Sequence, residues 1–241
     1  MTSDNAIISV NEDTIFVSIH ISKTGGTTLT KILKNHFGDD LQLSYAKEKG
    51  PKAENPKCIH GHKVLSHFPN IHKNENSVWF TFIREPLATA ISSYNYIKTR
   101  PEAEFEDKGM RTYLTHSEKP QWPNPPGYTH NRYVRNVYRL SQLNREFDFI
   151  GITERFDESI FIMFWLFQWD HVRYKITNRG NYTPPKIEDD IIEKFNALNQ
   201  KDYTLYRQVN EKLDQLIESY GSSFEEDFTT FKEKFVKKIV K

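Results

Sequence analysis

Hydrophobic and polar positions alternate along this chain in a strand, turn, helix order that repeats. Thr14 to His20 (TIFVSIH) is a β-branched and aromatic run that predicts a buried strand. Gly25 and Gly26 follow, and then Thr27 to Phe37 place Leu29, Ile32, Leu33 and Phe37 at helical spacing. Ser77 to Ile83 (SVWFTFI) predicts a second buried strand. Pro86 then stands where a first helical residue would, with Leu87, Ile91 and Tyr94 continuing on one face.

Farther along, residues 99 to 130 mix Pro101, Pro120, Pro123, Pro125 and Pro126 with charges, Trp122 and Tyr128, which predicts a long irregular excursion. Tyr133 to Leu143 predicts a helix, Asp148 to Ile152 a short strand, and Glu158 to Trp169 a buried helix. Pro184 and Pro185 break the chain before two or three C-terminal helices. In the last of these, Phe224, Phe228, Phe231, Phe235 and Ile239 form a stripe read as core packing. There is no internal repeat. The pattern is that of an α/β protein with a helical C-terminal part, read as a single domain over residues 1–241.

Composition narrows the partners. Hydrophobic residues make up 37% of the 241 and aromatics 14%, enough for a sizeable core. Lys and Arg total 33 against 32 Asp and Glu. That balance argues against a surface built for nucleic acid or a polyanion, but leaves room for a local basic pocket. Cys58 is the one cysteine, so no internal disulfide forms and a reducing compartment suits the chain. The opening residues lack the basic and apolar regions of a secretory signal, and the apolar run Phe161 to Phe167 falls far short of the ~20 residues of a membrane helix. A cytoplasmic protein with no membrane partner is expected.

Two segments carry candidate chemistry. Ser22-Lys23-Thr24-Gly25-Gly26-Thr27-Thr28 joins the first strand to its helix. Glycines allow a tight turn that brings N–H groups to an anion, and the helix N-terminus adds partial positive charge. Lys23 supplies an ammonium, and Thr27 and Thr28 supply hydroxyls. An ordinary glycine turn with a surface lysine is the plain alternative; the flanking Lys-Thr and Thr-Thr favour an oxyanion cradle. The lysine precedes the glycines, unlike the Walker order, and no strand ends in an aspartate suited to Mg²⁺. After the second strand, Arg84-Glu85-Pro86 opens a helix on which Ser92 lies about two turns later. Arginine and serine there could grip one phosphate.

Together these segments resemble the two donor-binding motifs of sulfotransferases that use PAPS (3′-phosphoadenosine-5′-phosphosulfate), particularly the branch containing heparan sulfate 2-O-sulfotransferase. His60-Gly61-His62 is similar to a His-Gly-His of that branch, and Phe149-Ile150-Gly151-Ile152-Thr153-Glu154 to its Val-Gly-Val-Thr-Glu segment. The likeness runs from about residue 14 to the middle 180s. Ser22 departs from it, since the family has proline there.

The resemblance implies a P-loop-like three-layer fold, with a central mainly parallel sheet flanked by helices. It implies that Lys23, Thr24, Gly25, Gly26, Thr27 and Thr28 hold the 5′-phosphosulfate and that Arg84 and Ser92 hold the 3′-phosphate. Lys23 would contact the leaving oxygen, His62 would act as general base, and His60 would support it or orient the acceptor. Thr177, Asn178 and Arg179 would lie against the adenine, and Asn131, Arg132 and Arg135 would meet the acceptor. No metal is required, and PAP, the desulfated donor, is the product. Apart from the resemblance, the proline- and aromatic-rich stretch 99 to 130, followed by Asn131, Arg132 and Arg135, is where the acceptor is expected to meet the chain; an ordinary surface loop is the plain alternative there, and an ordinary polar loop at Thr177, Asn178 and Arg179.

Other readings stand beside this one. Cys58, His60 and His62 would share a strand face, but with no obvious fourth ligand they make a weak zinc pattern. A packed or surface histidine pair is the plain alternative to catalysis. A nucleotide kinase or other phosphotransferase on a related fold lacks its Gly-Lys-Ser/Thr order, and a non-catalytic nucleotide- or glycan-binding module would not need Lys23 and a base. The family likeness points to a carbohydrate acceptor. The balanced charge and the lack of a Golgi-type anchor favour a small molecule.

Overall fold

A computed structural model of the protein describes residues 7–45, 55–68, 76–99, 109–115, 130–134, 147–175 and 186–237. From the N-terminus, β1 (Ile15–Ile19) leads into α1 (Gly26–Phe37), a 3-10 turn at Gly38–Asp40 and β2 (Leu41–Leu43). Next come β3 (Cys58–Gly61) and the one-turn α2 (Val64–His67), then β4 (Ser77–Ile83), α3 (Pro86–Lys98) and α4 (Gly109–Thr115). β5 (Phe149–Ile152) leads into α5 (Phe156–Leu166). β6 (Tyr174–Lys175), α6 (Asp189–Leu198), α7 (Gln200–Tyr220), α8 (Phe224–Phe235) and β7 (Val236–Lys237) complete the order.

Five strands form one sheet in the order β2-β3-β1-β4-β5, and every pairing in it is parallel. The α/β fold expected from the sequence is the fold observed. Phe16, Phe80, Phe82 and Phe149 pack on one face with Leu29, Ile32 and Leu33 of α1, the apolar length of α5, and Val209, Leu213 and the α8 phenylalanines. Val17, Ile59 and Trp79 pack on the other face with Val64 of α2. Alternate residues of β1 thus serve opposite layers, as the period of a strand requires. A smaller cluster joins α3, α4 and α6 through Ala90, Tyr94, Leu114, Ile191 and Phe195.

The C-terminal stripe is core, as its spacing predicts: Phe224, Phe228 and Phe231 are buried and each meets Phe161. α5 starts before Glu158 and stops short of the predicted Trp169. Gln168 takes φ 55°, and the Trp169 N–H turns back to the Phe164 carbonyl at 2.9 Å. The indole then packs edge-on against Phe16, 4.7 Å between centroids, and that burial outweighs another half-turn of helix. β2, only three residues long, gave no readable alternation. The predicted helix beyond Val134, most of the proline-rich excursion and Ile239 lie outside the described residues.

Candidate active site

The polar residues of interest gather at the carboxyl edge of the sheet. His20 follows β1, Ser44 and Tyr45 follow β2, His62 follows β3, Arg84 follows β4, and Thr153 and Glu154 follow β5. β1 stands between the strands that run to either side of it, and in open parallel sheets ligands bind outside the strand ends at such a switch point.

The loop after β1 is wound tightly. Lys23 and Gly25 take φ 74° and 84°, and the buried Thr24 hydroxyl donates to the Ile21 carbonyl at 2.7 Å. Thr24 therefore shapes the loop from inside. α1 begins at Gly26 with no side-chain cap and no acidic residue in its first turn. Thr28 and Leu29 both donate to the Gly25 carbonyl, at 3.0 and 3.2 Å, while the amides before them precede any helical acceptor. The positive pole of this helix stays open to an anion. Thr27 is exposed beside it, and Thr28 is buried. Gly26 is dictated by a close approach, because a Cβ there would lie 1.7 Å from His20 Nε2.

α3 has the opposite kind of N-terminus. The Glu85 carboxylate caps it, accepting from the amides of Leu87 at 3.1 Å and Ala88 at 2.5 Å, and it also accepts from Tyr203 OH at 2.7 Å. Arg84, just before this cap, keeps about a third of its side chain exposed. Its Nε lies 3.5 Å from Glu154 Oε1, and its amide donates to Tyr133 OH at 3.3 Å. Glu154 also accepts from the Glu85 amide and from Tyr206 OH, so it is fixed before it orients the guanidinium. Ser92 is half-buried on α3, and Tyr96 is four residues later on the same face. Lys23 Nζ lies 4.1 Å from the Tyr96 ring centroid. The loop and α3 therefore stand side by side.

Beside that loop the rings of His60, His20 and His62 are stacked. Centroids are 5.5 Å apart for His20 and His60, and 4.2 Å for His20 and His62. His60 is wholly buried, with Nδ1 2.8 Å from Ser18 Oγ and Nε2 3.0 Å from Thr30 Oγ1 and 2.9 Å from Tyr45 OH. The Thr30 hydroxyl donates to the Gly26 carbonyl at 2.7 Å, so its oxygen accepts from His60 Nε2–H, and Ser18 donates to His60 Nδ1. Tyr45 OH then donates to His20 Nδ1 at 2.9 Å, which leaves the His20 proton on a buried Nε2 without a partner. Burial foremost, with the neighbouring His62, lowers the pKa of His20 to about 2 and of His60 to about 3. Both are neutral supports. Neither nitrogen of His60 is open to an acceptor.

His62 differs. Past the end of β3, it is exposed, and its Nδ1 lies 2.6 Å from the His20 carbonyl oxygen. A carbonyl only accepts, so Nδ1 carries the proton and Nε2 keeps a lone pair directed away from that bond. Partial burial lowers its pKa below 6.5; the bond to His20 opposes this, and the charges of Arg132 and Lys63 add to it. A neutral imidazole with a free Nε2 can take a proton. Cys58 and His60 do share a face of β3, while His62 lies past the strand's end; Cys58 is enclosed in the core, where burial pushes its thiol pKa well up.

Of the residues expected to meet an acceptor, Arg132 reaches the loop after β1, where its Nη2 donates to Ser22 Oγ. Asn131 does not. Its Nδ2 donates to the Leu198 carbonyl at 2.9 Å, and its Oδ1 accepts from Lys201 and Asp202 amides at 3.1 and 3.3 Å. That side chain bridges α6 to α7, so its expected contact with the acceptor is replaced by a structural one. Arg135, Thr177, Asn178 and Arg179 lie outside the described residues.

A profile of the sulfotransferase family matches residues 7–233. The chain belongs to the sulfotransferase family. It is also 20% identical over 250 residues to galactosylceramide sulfotransferase of the mouse (Mus musculus). That alignment covers 87% of the chain and 58% of the mouse protein, so the chain spans little more than half the length of this relative. Both comparisons stop at the family and do not single out the heparan sulfate 2-O-sulfotransferase branch. In this member of the family, His20, Tyr45, Thr30 and Glu154 are the candidate-site residues that sequence reasoning gave no role. For His20 a signal existed: Ser18 and His20 are polar on alternate positions of an otherwise apolar strand, just before the loop.

Proposed function

We propose that this sulfotransferase moves the sulfuryl group of PAPS onto an acceptor hydroxyl, with His62 as the general base. The observation that carries the reading is an uncapped helix N-terminus and a tautomer-fixed imidazole side by side at the carboxyl edge of the sheet, linked through His20. The residues fit a doubly phosphorylated adenosine. The loop amides, Thr27 and Lys23 suit the 5′-phosphosulfate, and Arg84 held by Glu154, with Ser92 on the same helix, suits the 3′-phosphate. The closed cap on α3 supports this division, because Glu85 leaves the arginine rather than the helix pole to bind the anion.

PAPS supplies the activated sulfuryl group, and PAP leaves with the electron pair of the broken S–O bond. His62 Nε2 accepts the proton of the attacking hydroxyl, while the His20 carbonyl holds Nδ1–H and so fixes the ring. Lys23 neutralises charge growing on the leaving phosphate. His60, Tyr45, Thr30 and Ser18 keep the stack in place. The acceptor is a hydroxyl of a small molecule or of a sugar. The galactosylceramide named for the mouse relative is one compound to try.

Radiolabelled PAPS offered with sugars, galactosylceramide, phenols and alcohols tests the reading. Transfer to at least one class is expected. Lys23→Ala should abolish it, and His62→Gln should cut it by about 10²–10⁴ while still binding PAP. Transfer at the wild-type rate by both variants would overturn the assignment, and Mg²⁺-dependent binding of ATP in preference to PAP would favour a phosphotransferase.

A further inference from the structure

β3 lies between β1 and β2 in the sheet, so His62, one residue past its end, has a strand end on either side. On the β1 side, the His20 amide donates to the Gly61 carbonyl at 3.0 Å and the His20 carbonyl accepts from His62 Nδ1. On the β2 side stands Ser44, wholly buried. Its amide donates to the His60 carbonyl at 2.8 Å and its carbonyl accepts from the Lys63 amide at 2.9 Å, so it brackets Gly61 and His62. Glycine is required between the two histidines, because a Cβ at 61 would lie 2.1 Å from the Ser44 carbonyl oxygen. The Ser44 side chain closes the bracket. Its Oγ lies 2.9 Å from Nδ1 of His67, an exposed residue at the end of α2. A four-residue helix does not hold itself, since nucleation costs more than one turn returns. Val64 and Phe68 pack α2 into the core beside Ile59, and the His67 bond ties it to the end of β2.

We infer that Ser44 and His67 are positioning residues for His62: their bond ties α2 to the end of β2 and so holds the main chain from which the base projects. This role rests on the reading of His62 as the base. The two strand ends divide the work. His20 sets the plane and tautomer of the ring, whereas Ser44 and His67 set where the main chain at residues 61–63 stands. Tyr45, next to Ser44, places its ring edge-on to that of His62, with centroids 5.0 Å apart. The end of β2 thus controls one wall of the imidazole as well. Without the His67 bond, α2 loosens, and with it the Lys63 amide that Ser44 holds. His62 Nε2 would then meet the acceptor hydroxyl less often at the distance and angle that proton transfer needs.

His67→Ala and Ser44→Ala each remove the bond and should lower kcat about tenfold, with PAP affinity within about threefold of wild type. His67→Asn keeps a polar atom on the γ carbon where Nδ1 stood and should recover most of the loss. His67→Ala combined with Ser44→Ala should be no worse than either alone, because the same bond is lost. The decisive background is His62→Gln. There His67→Ala should change the residual kcat by less than about twofold, since no base is left to misplace. A merely structural role would depress both backgrounds alike. A second readout needs no turnover: the His62 Nδ1–H proton resonance should broaden or exchange faster in His67→Ala and recover in His67→Asn. Wild-type transfer by His67→Ala, or an equal loss in both backgrounds, would overturn the inference alone. An unchanged His62 resonance in His67→Ala would do the same. A wild type that transfers sulfate to no acceptor would overturn the function proposed above, and this role with it.

Discussion

The rings of His20 and His62 lie 4.2 Å apart and 21° from parallel, and the His20 carbonyl accepts the His62 Nδ1 proton at 2.6 Å. One residue thus fixes both the plane and the tautomer of His62. Because the contact is to backbone, it survives any change of the His20 side chain; the ring packing does not.

The pH dependence of turnover follows from that geometry. As the proposed base His62 would act only when neutral, and its pKa lies below the ordinary 6.5. The acidic limb of kcat should therefore fall below pH 6.5, not at it. Part of the lowering comes from the charges of Arg132 and Lys63, so added salt should move the limb upward by screening them. His62→Gln should cut kcat by about 10²–10⁴ and remove this limb. A limb above pH 7 in the wild type would contradict the assignment.

Acid stability tests the buried pair. His20 and His60 have folded pKa values of about 2 and about 3, against 6.5 for an unfolded histidine. In the window between, the unfolded chain binds protons that the folded chain refuses, so stability is full above pH 6.5 and is lost as pH falls. By pH 5.5 each should cost about 1.4 kcal/mol. Urea titrations of the wild type and His60→Gln between pH 7.5 and 5.5 measure it. The variant, less stable at pH 7.5, should show a shallower decline.

What the sequence disclosed was what the chain makes locally. The strand, glycine loop and helix from Thr14 to Phe37 are consecutive, so turn and dipole rules apply to them directly. The same holds for Arg84 before a proline-opened helix. What stayed hidden were partnerships across the fold: Arg132 with Ser22 is separated by 110 residues, and His60 with Ser18 by 42. No period or spacing encodes these, because parallel strands β3, β1 and β4 bring their ends together only after the sheet forms. Asn131 shows the converse error. Its position after a proline-rich stretch suggested ligand contact, yet the hydrogen-bonding needs of a helix junction claimed its amide.

Gly26→Ala sets two effects against each other. Alanine near a helix start ordinarily stabilises by about 0.5–1 kcal/mol over glycine. Here its Cβ would lie 1.7 Å from His20 Nε2. The His20 ring cannot retreat, being held by Tyr45 at Nδ1 and stacked on His60 and His62. The clash wins. A net loss of about 1–3 kcal/mol is expected, with weakened PAP binding, read by thermal melting and calorimetry.

Arg84 and Glu154 should separate as ligand and orienter. Arg84→Ala should weaken PAP by about 10- to 100-fold, the scale of a lost charge-assisted contact. Glu154→Gln keeps the shape and a hydrogen-bonding oxygen but loses the ion pair with Arg84. Its effect on PAP should stay within about tenfold, because the pair is partly exposed. Equal effects would mean that Arg84 serves the fold, not the nucleotide.

Asn131 offers the cleanest division between scaffold and site. Its amide satisfies the Leu198 carbonyl and the amides of Lys201 and Asp202, and its φ of 50° suits asparagine or glycine better than other residues. Asn131→Ala removes the bonds and adds backbone strain, so a loss of about 2–3 kcal/mol is expected. Asn131→Gly removes the bonds alone and should lose less. In both, PAP affinity should remain within about threefold of wild type, because the proposed nucleotide contacts come from the loop after β1 and from Arg84 and α3. Melting curves ordered wild type, glycine, alanine, with PAP binding retained, would place Asn131 in the scaffold. A collapse of PAP binding in the glycine variant, at unchanged stability, would return it to the site.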